Sequence, residues 1–314
     1  MHVVLVHNPS AGSIDCDRQS LAELIRAAGH TVEDFSSKDK RWRQALRESP
    51  DLAVAAGGDG TVAQVARRVA GKPVRIAVLP FGTANNIASA LNQRDMSVED
   101  LVAGWADGRA QPFDLGLAIG PWGDFVFLES VGAGLLADAI AEIDQGSAGH
   151  VNDFDDPDDR LTAAWALLER MLREAPARRF ELTLDGRDLS GEYVLVEALN
   201  FGAAGPNLRL APQATPSDGL LDVVLIDEHA REALLRQFPL LRDDPSLVPS
   251  FRSYSGRRLQ MRCGDATLHL DDELQRTDAD SGEVHLSITP GAVTFLLSGA
   301  GAEASLAARP ARAS

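Results

Sequence analysis

Short apolar strands alternate with amphipathic helices over the first 110 residues, and this alternation restricts the fold more than any other feature of the chain. Four apolar runs have the length and composition of buried strands. They are His2–His7, Thr31–Phe35, Asp51–Ala56 and Val74–Leu79. Strands that alternate with helices indicate a parallel sheet with helices on its faces. The sequence therefore predicts an α/β domain whose ligand site lies at the carboxyl ends of the strands.

The third strand ends in a loop that carries three glycines around one carboxylate, Gly57-Gly58-Asp59-Gly60-Thr61, and a helix is predicted over Thr61–Ala70. Glycine lets backbone N–H groups approach phosphate oxygens, and a helix amino terminus adds positive potential. Thr61 is expected to cap this helix and to donate to a phosphate. Asp59 beside phosphates implies a divalent cation or a proton between the charges. The alternative, an ordinary glycine turn, is disfavoured by the number of glycines.

Loops of similar character follow two other strands. The first, Asn8-Pro9-Ser10-Ala11-Gly12, offers an Asn that can hold a neighbouring loop, although by itself it indicates no more than a turn. The second contains Gly82, Thr83 and Asn85 and leads into a helix predicted over Thr83–Leu91. Its Gly and Thr suit a phosphate or ribose, and its Asn amide can orient the loop. Because the loops follow parallel strands, we expect them to converge on one nucleotide-binding crevice.

The chain changes character after residue 110. Strand-like runs separated by turn residues such as Asp185-Gly186 predict a β-rich second domain, a sandwich or a barrel. One helix is predicted within it, over Leu161–Arg173. We therefore expect an α/β domain at residues 1–110 and a β-rich domain at residues 111–298. Residues 299–314, rich in Ala, Gly and Ser, are predicted to form a disordered tail.

The net charge of −16 is carried entirely by the chain after residue 110, because residues 1–110 hold 13 basic and 13 acidic residues. The most acidic segment, residues 138–160, holds eight acidic residues and one basic residue. Such a chain lacks the basic surface of a nucleic-acid-binding protein and is poorly suited to anionic membranes. The acidic segment lacks the ligand spacing of a Ca²⁺-binding EF-hand, so a solvated loop is favoured.

The remaining composition argues against several other classes of protein. Cys16 and Cys263 form no CxxC pattern and the seven histidines show no spacing for zinc, which fits a reducing compartment. Met1–Val6 has no basic start and no cleavage site, so we expect a first strand rather than a signal peptide. No apolar run approaches the roughly 20 residues of a membrane helix. The predicted location is the cytoplasm.

In this order, the three loop motifs resemble the catalytic region of diacylglycerol and sphingosine kinases, and most closely the bacterial soluble lipid kinases of that group. Further blocks extend the resemblance over about residues 2–298. These blocks are Phe113-Asp114-Leu115-Gly116, Asn200-Phe201-Gly202, Leu210-Ala211-Pro212-Gln213-Ala214, Ser217-Asp218-Gly219-Leu220-Leu221-Asp222 and Leu270-Asp271-Asp272-Glu273. The glycine-aspartate motif alone is shared with NAD kinases and phosphofructokinases, whereas the full series is far more specific.

The resemblance implies an α/β nucleotide-binding domain followed by a β-sandwich lipid domain, with the active site in the cleft between them. It implies ATP as the phosphoryl donor, Mg²⁺ as the cofactor and a lipid hydroxyl as the acceptor. The residues that it implies for nucleotide binding are Asn8, Gly57, Gly58, Asp59, Gly60, Thr61, Gly82, Thr83 and Asn85.

The resemblance also implies individual chemical roles. Asp271 would be the general base that takes the proton from the lipid hydroxyl. Asp59 would help to hold the catalytic Mg²⁺ or position the γ-phosphate. Asp218, with the backbone carbonyls of Thr215 and Leu220, would form a second, structural Mg²⁺ site, since oxygen ligands from a loop suit a hard cation.

The chain departs from the family pattern at two places that bear on catalysis. Ala63 stands where an Asn is usual, and Asp272 replaces the Gly of the Asp-Gly-Glu motif. Two alternative functions therefore stay open, namely a superfamily kinase with a soluble acceptor such as NAD, and a nucleotide-binding regulator without catalytic activity. The acidic second domain further predicts that any membrane contact is transient and apolar.

Overall fold

The computed structural model describes residues 1–11, 17–146, 151, 154, 156–243, 247, 252–278 and 282–299. The chain forms two compact units. Unit 1 comprises Met1–Phe113 together with the described residues from Gly291 onward, and unit 2 comprises Asp114–Pro290. Apart from Gly299, the predicted tail lies outside the described residues.

The first part of the chain alternates short strands with helices. The strands are β1 (His2–His7), β2 (Thr31–Ser36), β3 (Leu52–Gly57), β4 (Arg75–Pro80) and β5 (Arg109–Gly120). The helices are α1 (Arg18–Ala27), α2 (Trp42–Ala45), α3 (Asp59–Val69), α4 (Asn86–Ala90) and α5 (Val98–Ala103). The boundary between the units falls within β5.

The rest of the chain is rich in strands. They are β6 (Gly123–Phe127), β7 (Ser130–Gly134), β8 (Arg178–Leu184), β9 (Arg187–Asp188), β10 (Gly191–Tyr193), β11 (Leu195–Leu199), β12 (Ala203–Ala204), β13 (Leu208–Arg209), β14 (Leu221–Ile226), β15 (Ser253–Gly256), β16 (Arg258–Arg262), β17 (Thr267–Leu270), β18 (Glu273–Arg276) and β19 (Glu283–Leu297). The helices are α6 (Leu135–Asp144), α7 (Pro157–Glu174) and α8 (Glu228–Asp243). Within the described part of the chain, no helix combines the length and the apolarity needed to cross a bilayer.

The sheet of unit 1 is parallel, with the order β2-β1-β3-β4 followed by the end of β19. Leu21 and Ile25 of α1 pack in one buried cluster with Val3, Leu5 and Leu52. The strand order reverses beside β1, since β2 lies on one side of it and β3 on the other. The carboxyl ends of β1 and β3 are therefore neighbours at a topological switch point, where open parallel sheets bind ligands.

Unit 2 is a β-sandwich with helices on one outer face. One antiparallel sheet has the order β15-β14-β11-β7-β17-β18, and the other contains β10-β8-β16 and the first part of β19. Phe180 and Val196 belong to the apolar cluster between these sheets. A second cluster, which includes Trp165 and Phe238, packs the helices on the other face of the first sheet.

The described residues of unit 2 form three helices, whereas the sequence predicts one. The predicted helix is α7, which is longer than expected, and α6 and α8 lie where no helix is predicted. Helix α8 contains Pro239, which removes a backbone hydrogen bond and weakens the helical signal in the sequence. Its buried Leu234 and Phe238 share one face, so tertiary packing stabilises the helix in spite of the proline.

The described part of the acidic segment caps a helix and forms ion pairs. Asp156 accepts hydrogen bonds from the first two backbone amides of α7 that follow its proline. Asp138 forms an ion pair with Arg178 at 2.8 Å. Asp153 and Asp155 lie outside the described residues. Part of the negative charge therefore has a local structural use.

The sequence predicts that the second domain extends to residue 298. In the structure, the described residues after Pro290 belong to unit 1 instead. Thr294 and Phe295 of β19 pair with β4, and Ser298 Oγ donates to the carbonyl of Leu101 at 2.7 Å. A strand-like run in the sequence does not identify the sheet that it joins, because the tertiary structure selects the pairing partner.

Removal of the Phe295 side chain should destabilise unit 1, since this ring is fully buried and lies 5.0 Å from the ring of Phe113. Phe295→Ala should lower the free energy of unfolding by about 3–5 kcal/mol, measured by urea denaturation. The matched control is Phe154→Ala, whose side chain is 37% exposed and should contribute much less. Equal effects of the two substitutions would contradict the placement of β19 in unit 1.

Candidate active site

The loops after β1, β3 and β4 lie side by side at the carboxyl edge of the unit 1 sheet. The backbone N–H of Asn8 donates to the carbonyl of Ala56 at 2.8 Å, and that of Phe81 donates to Gly57 at 3.1 Å. Inter-strand pairing thus continues beyond the strand ends and brings together the three loops that the sequence predicts to converge. Gly12, the last residue of the first loop motif, lies outside the described residues.

The two glycine loops touch through their backbones. A methyl group at Gly82 would overlap the Cα atom of Gly58, and one at Gly58 would lie 3.1 Å from the Cα atom of Gly82. At Gly57 an added methyl would lie 2.5 Å from Thr61 Oγ1. Side chains are therefore excluded from the place where the loops meet. This arrangement suits an anion that is bound by backbone amides.

Helix α3 begins at Asp59, so its N-cap is Gly58 and the prediction that Thr61 caps it is wrong. The helix starts directly after the extended backbone of Gly58, so Thr61 lies in its first turn. The Thr61 residue is only 5% exposed. The N-cap residue Gly58 has no side chain that could make a capping hydrogen bond. A helix end whose N-cap residue supplies no side-chain acceptor can offer its first backbone amides to a phosphate.

Asp59 ties the loop after β3 to the helix after β4. Its Oδ2 accepts the backbone N–H of Asn86 at 3.0 Å, and its Oδ1 accepts that of Ile87 at 2.9 Å. The carboxylate thus binds the first amides of α4. An ionised carboxylate offers about four acceptor positions, so these two bonds do not exclude a contact between Asp59 and Mg²⁺. The Mg²⁺ contact that the family resemblance implies for Asp59 stays a prediction.

Asn85 closes the loop after β4 with its own side-chain amide. Its Oδ1 accepts the N–H of Gly82 at 2.8 Å, and its Nδ2 donates to the carbonyl of Gly82 at 2.7 Å. Asn85 has a φ of 51°, a left-handed conformation that Asn tolerates better than most residues. A residue in this conformation cannot continue a helix, so α4 starts at Asn86 and the half-buried Thr83 remains in the loop.

Asp271, the predicted base, occupies a two-residue turn in unit 2. Leu270 pairs with Glu273, so Asp271 and Asp272 form the connection between β17 and β18. The Asp271 carboxylate accepts the backbone N–H groups of residues 128–130, with Oδ1 distances from 2.8 to 3.3 Å. These charge-assisted hydrogen bonds fix the orientation of the carboxylate.

Both departures from the family pattern fit the local structure. Asp271 has a φ of 51°, whereas Asp272 is not among the residues with a positive φ, so the turn does not require a glycine at this position. The Asp272 side chain is exposed, which avoids burial of a second carboxylate. Ala63 is 2% exposed, on the buried face of α3, where a longer polar side chain would have to be desolvated.

The segment that binds Asp271 is itself held by a buried network. Asn200 Nδ2 donates to the carbonyls of Leu128 at 2.8 Å and of Asp114 at 2.9 Å. Asp114 Oδ2 accepts the N–H of Gly219 at 2.7 Å. The sequence motifs that contain Asp114, Asn200 and Gly219 did not indicate a structural role for these residues. In the structure these motifs are joined by hydrogen bonds to one another and to Leu128, next to the amides that bind Asp271.

The predicted structural Mg²⁺ site is a hydrogen-bonded turn in this structure. The Thr215 carbonyl accepts the N–H groups of Ser217 and Asp218 at 2.8 and 3.4 Å, and Asp218 Oδ1 accepts the N–H of Leu220 at 3.0 Å. Carbonyl and carboxylate oxygens can each accept more than one contact, so these bonds do not decide whether Mg²⁺ binds here, and the structural Mg²⁺ site stays a prediction. Among the described residues, no group of three or more His, Cys, Asp or Glu side chains could hold a metal.

A buried polar pair that no motif indicates lies next to Asp271. His269 Nε2 lies 3.0 Å from the Glu197 carboxylate, and His269 Nδ1 lies 3.0 Å from the backbone carbonyl of Asp271. Burial by itself would lower the pKa of His269, but Glu197 and the Asp271 backbone and charge outweigh it and raise this pKa above its usual value. No local pattern in the sequence indicates Glu197, because its partner His269 is 72 residues away along the chain.

Comparison with known families matches both parts of the chain. Residues 2–118 match the diacylglycerol kinase catalytic domain, and residues 138–297 match the YegS C-terminal NAD kinase beta sandwich-like domain. The second match alone covers about half of the chain.

Individual relatives and a solved structure are more distant. A protein named diacylglycerol kinase from Mycobacterium tuberculosis is 27% identical over 201 residues, which covers 63% of this chain and only 62% of that protein. A diacylglycerol kinase from Bacillus subtilis is 23% identical over 232 residues, covering 71% of this chain and 72% of that protein. A crystal structure of a diacylglycerol kinase from Bacillus anthracis matches with a TM-score of 0.71 at 19% identity, over 95% of this chain and 97% of that chain, which shows a shared fold.

Substitution of Gly82 should disrupt the nucleotide loops. In Gly82→Ala the new methyl group would overlap Gly58 and lie 2.8 Å from Asn85 Oδ1, so the loops must separate. We expect ATP affinity to fall by about tenfold or more, since about 1.4 kcal/mol of lost contact corresponds to a factor of ten. Isothermal titration calorimetry measures this change. Gly299→Ala is the matched control, because its methyl group would make only ordinary contacts at 3.7–3.8 Å, and equal affinities of the two variants would disprove the argument.

Asp59 can be tested for its loop contact separately from any metal contact. In the wild-type protein, the two carboxylate oxygens of Asp59 accept the backbone N–H groups of Asn86 and Ile87. The side chain in Asp59→Asn has only one acceptor oxygen, so the start of α4 should loosen and the melting temperature should fall. ATP binding should weaken both with Mg²⁺ and with EDTA. Asp95→Asn, at an exposed position of the same unit, is the control. A loss confined to the Mg²⁺ condition would instead indicate that Asp59 acts as a metal ligand.

Proposed function

This chain belongs to the diacylglycerol kinase family, and we propose that it is a lipid kinase, a phosphotransferase with an alcohol group as acceptor. The donor is the γ-phosphoryl group of ATP. The acceptor is the hydroxyl of a diacylglycerol-, sphingoid- or glycerolipid-like molecule, and the names of the relatives favour diacylglycerol. The proposal rests on the order of the two matched domains and on the geometry around Asp271.

The observation that carries the proposal is the orientation of the Asp271 carboxylate by three consecutive backbone amides. A general base must be held in position and must be ionised before it accepts a proton. In the proposed reaction, Asp271 takes the proton of the acceptor hydroxyl. The resulting oxygen forms a bond to the γ-phosphorus, the bond between that phosphorus and the β–γ bridging oxygen breaks, and ADP leaves.

The loops of unit 1 are the proposed site of the nucleotide. The start of α3, whose N-cap residue is a glycine, and the loops around Gly58 and Gly82 offer backbone amides to phosphate oxygens. Thr83 can add a hydroxyl, while Asn8 and Asn85 hold their loops through backbone contacts. Mg²⁺, when bound with ATP, would neutralise charge on the phosphates, and Asp59 is the proposed protein contact for it.

Purified protein should convert ATP and a lipid alcohol into ADP and a lipid phosphate in the presence of Mg²⁺. The assay compares dioctanoylglycerol, sphingosine, NAD and no acceptor, and identifies the product by mass spectrometry. Phosphorylation of NAD alone would favour the superfamily kinase with a soluble acceptor. ATP binding without transfer to any acceptor would favour the non-catalytic regulator.

Two neighbouring aspartates provide a matched test of the base. Asp271→Asn keeps an acceptor oxygen for the amides of residues 128–130 but removes the basic group, so turnover should fall by about two to four orders of magnitude. ATP affinity should not change. Asp272→Gly alters the adjacent, exposed side chain and restores the family motif, so it should keep turnover. Asp271→Ala should lose turnover as Asp271→Asn does. Full activity of Asp271→Asn would disprove the assignment of Asp271 as the base.

A further inference from the structure

Glu197, Gly132 and His269 form a row across three neighbouring strands of unit 2. Gly132 of β7 is in register with Glu197 of β11 on one side and with His269 of β17 on the other. The two outer backbones are therefore about 10 Å apart, two strand spacings. Their side chains meet because the middle residue is a glycine, since a methyl group there would overlap the Glu197 carboxylate and lie 2.8 Å from His269 Nε2.

Both ring nitrogens of His269 have defined partners, and these partners constrain its protons. The backbone carbonyl of Asp271 can only accept a hydrogen bond, so Nδ1 must carry a proton. Nε2 faces the Glu197 carboxylate at 3.0 Å, so one further proton lies between these two groups. Burial by itself would lower the pKa of His269, but the neighbouring Glu197 carboxylate and the Asp271 carbonyl outweigh it and raise this pKa, so both partners favour a proton on the ring.

The bond from Nδ1 acts on a backbone that would otherwise be unfavourable. Asp271 has a φ of 51°, which is uncommon for a residue other than glycine. Its carboxylate must reach residues 128–130 from this turn, and the position of its carbonyl determines the direction of the side chain. His269 therefore holds the turn from one side while the three amides hold the carboxylate from the other.

We propose that His269 and Glu197 are positioning residues that fix the Asp271 turn, with Gly132 providing the space in which they meet. The inference rests on the proposed function only in naming Asp271 as the base, since the contacts exist without it. Stability alone does not account for such a pair, because apolar residues of similar size often replace a buried ion pair at no cost. The pair is instead suited to hold the Asp271 turn in one orientation, since Glu197 fixes the His269 ring at Nε2 while Nδ1 bonds the Asp271 carbonyl.

The double variant His269→Phe/Glu197→Leu tests the proposal without leaving an unpaired buried charge. Replacement of both partners by apolar groups avoids the penalty of single substitutions, so the protein should fold with a similar melting temperature. The conservative variant Glu197→Gln can donate its amide N–H to Nε2 of a neutral ring, so His269 keeps its Nδ1 proton and the hydrogen bond that Nδ1 donates to the Asp271 carbonyl. The control is Thr277→Val, which removes a buried hydroxyl that bonds Gly264 and Ala266 at the other end of the same hairpin.

Kinetics with dioctanoylglycerol provide the first measurement. In the double variant kcat should fall by about 10- to 100-fold, the effect expected from a small misplacement of a reacting group, while the KM for ATP stays constant. Glu197→Gln should lose much less, and Thr277→Val should keep the wild-type kcat even if its melting temperature falls. A wild-type kcat in the folded double variant would overturn the proposal and leave the pair a purely structural feature.

Amide hydrogen exchange provides a second measurement that does not depend on activity. The amides of residues 128–130 should exchange about tenfold faster in the double variant, because they lose a fixed carboxylate partner, and they should not do so in Thr277→Val. Unchanged protection in the double variant would overturn the proposal. If the wild-type protein phosphorylates no acceptor, the proposed function fails, but faster exchange still supports the positioning role.

Discussion

Carboxylates that bind backbone amides of distant loops hold both sets of candidate functional residues in place. Asp59 binds the start of α4, 27 and 28 residues further along the chain. Asp114 binds Gly219, 105 residues away, and Asp271 binds a segment more than 140 residues before it. An ionised carboxylate accepts several hydrogen bonds and makes them stronger than a neutral acceptor does. Removal of one such group would therefore release a whole loop rather than a single contact.

Glycine supplies the complementary constraint. Gly58 and Gly82 let two backbones touch in unit 1, and Gly132 lets two side chains meet over the strand between them in unit 2. In each case the missing side chain creates the space that a polar group requires. The polar contacts and the glycines thus depend on each other, since an added methyl group would separate partners that a carboxylate or an amide brings together.

Much of the architecture could be predicted from local patterns. The alternation of strands and helices indicated the parallel sheet, and the glycine loops correctly marked its carboxyl edge, because both signals depend on neighbouring residues. Helix starts were less accurate. Thr61 and Thr83 are favourable N-caps by type, but Gly58 is the N-cap of α3 and the left-handed Asn85 delays α4. The helix α8 was missed because Pro239 weakens its pattern, whereas burial stabilises it.

The sequence by itself determined the class of each domain, the three loops at the strand ends and the family blocks that include Asp271. Only the tertiary structure decided which sheet the end of β19 joins, that Asp218 lies in a closed turn, and that His269 meets Glu197. The physical reason is the range of the interactions. Periodicity, turn composition and motif spacing act over a few residues, whereas strand register and buried hydrogen bonds join residues that only the folded chain brings together.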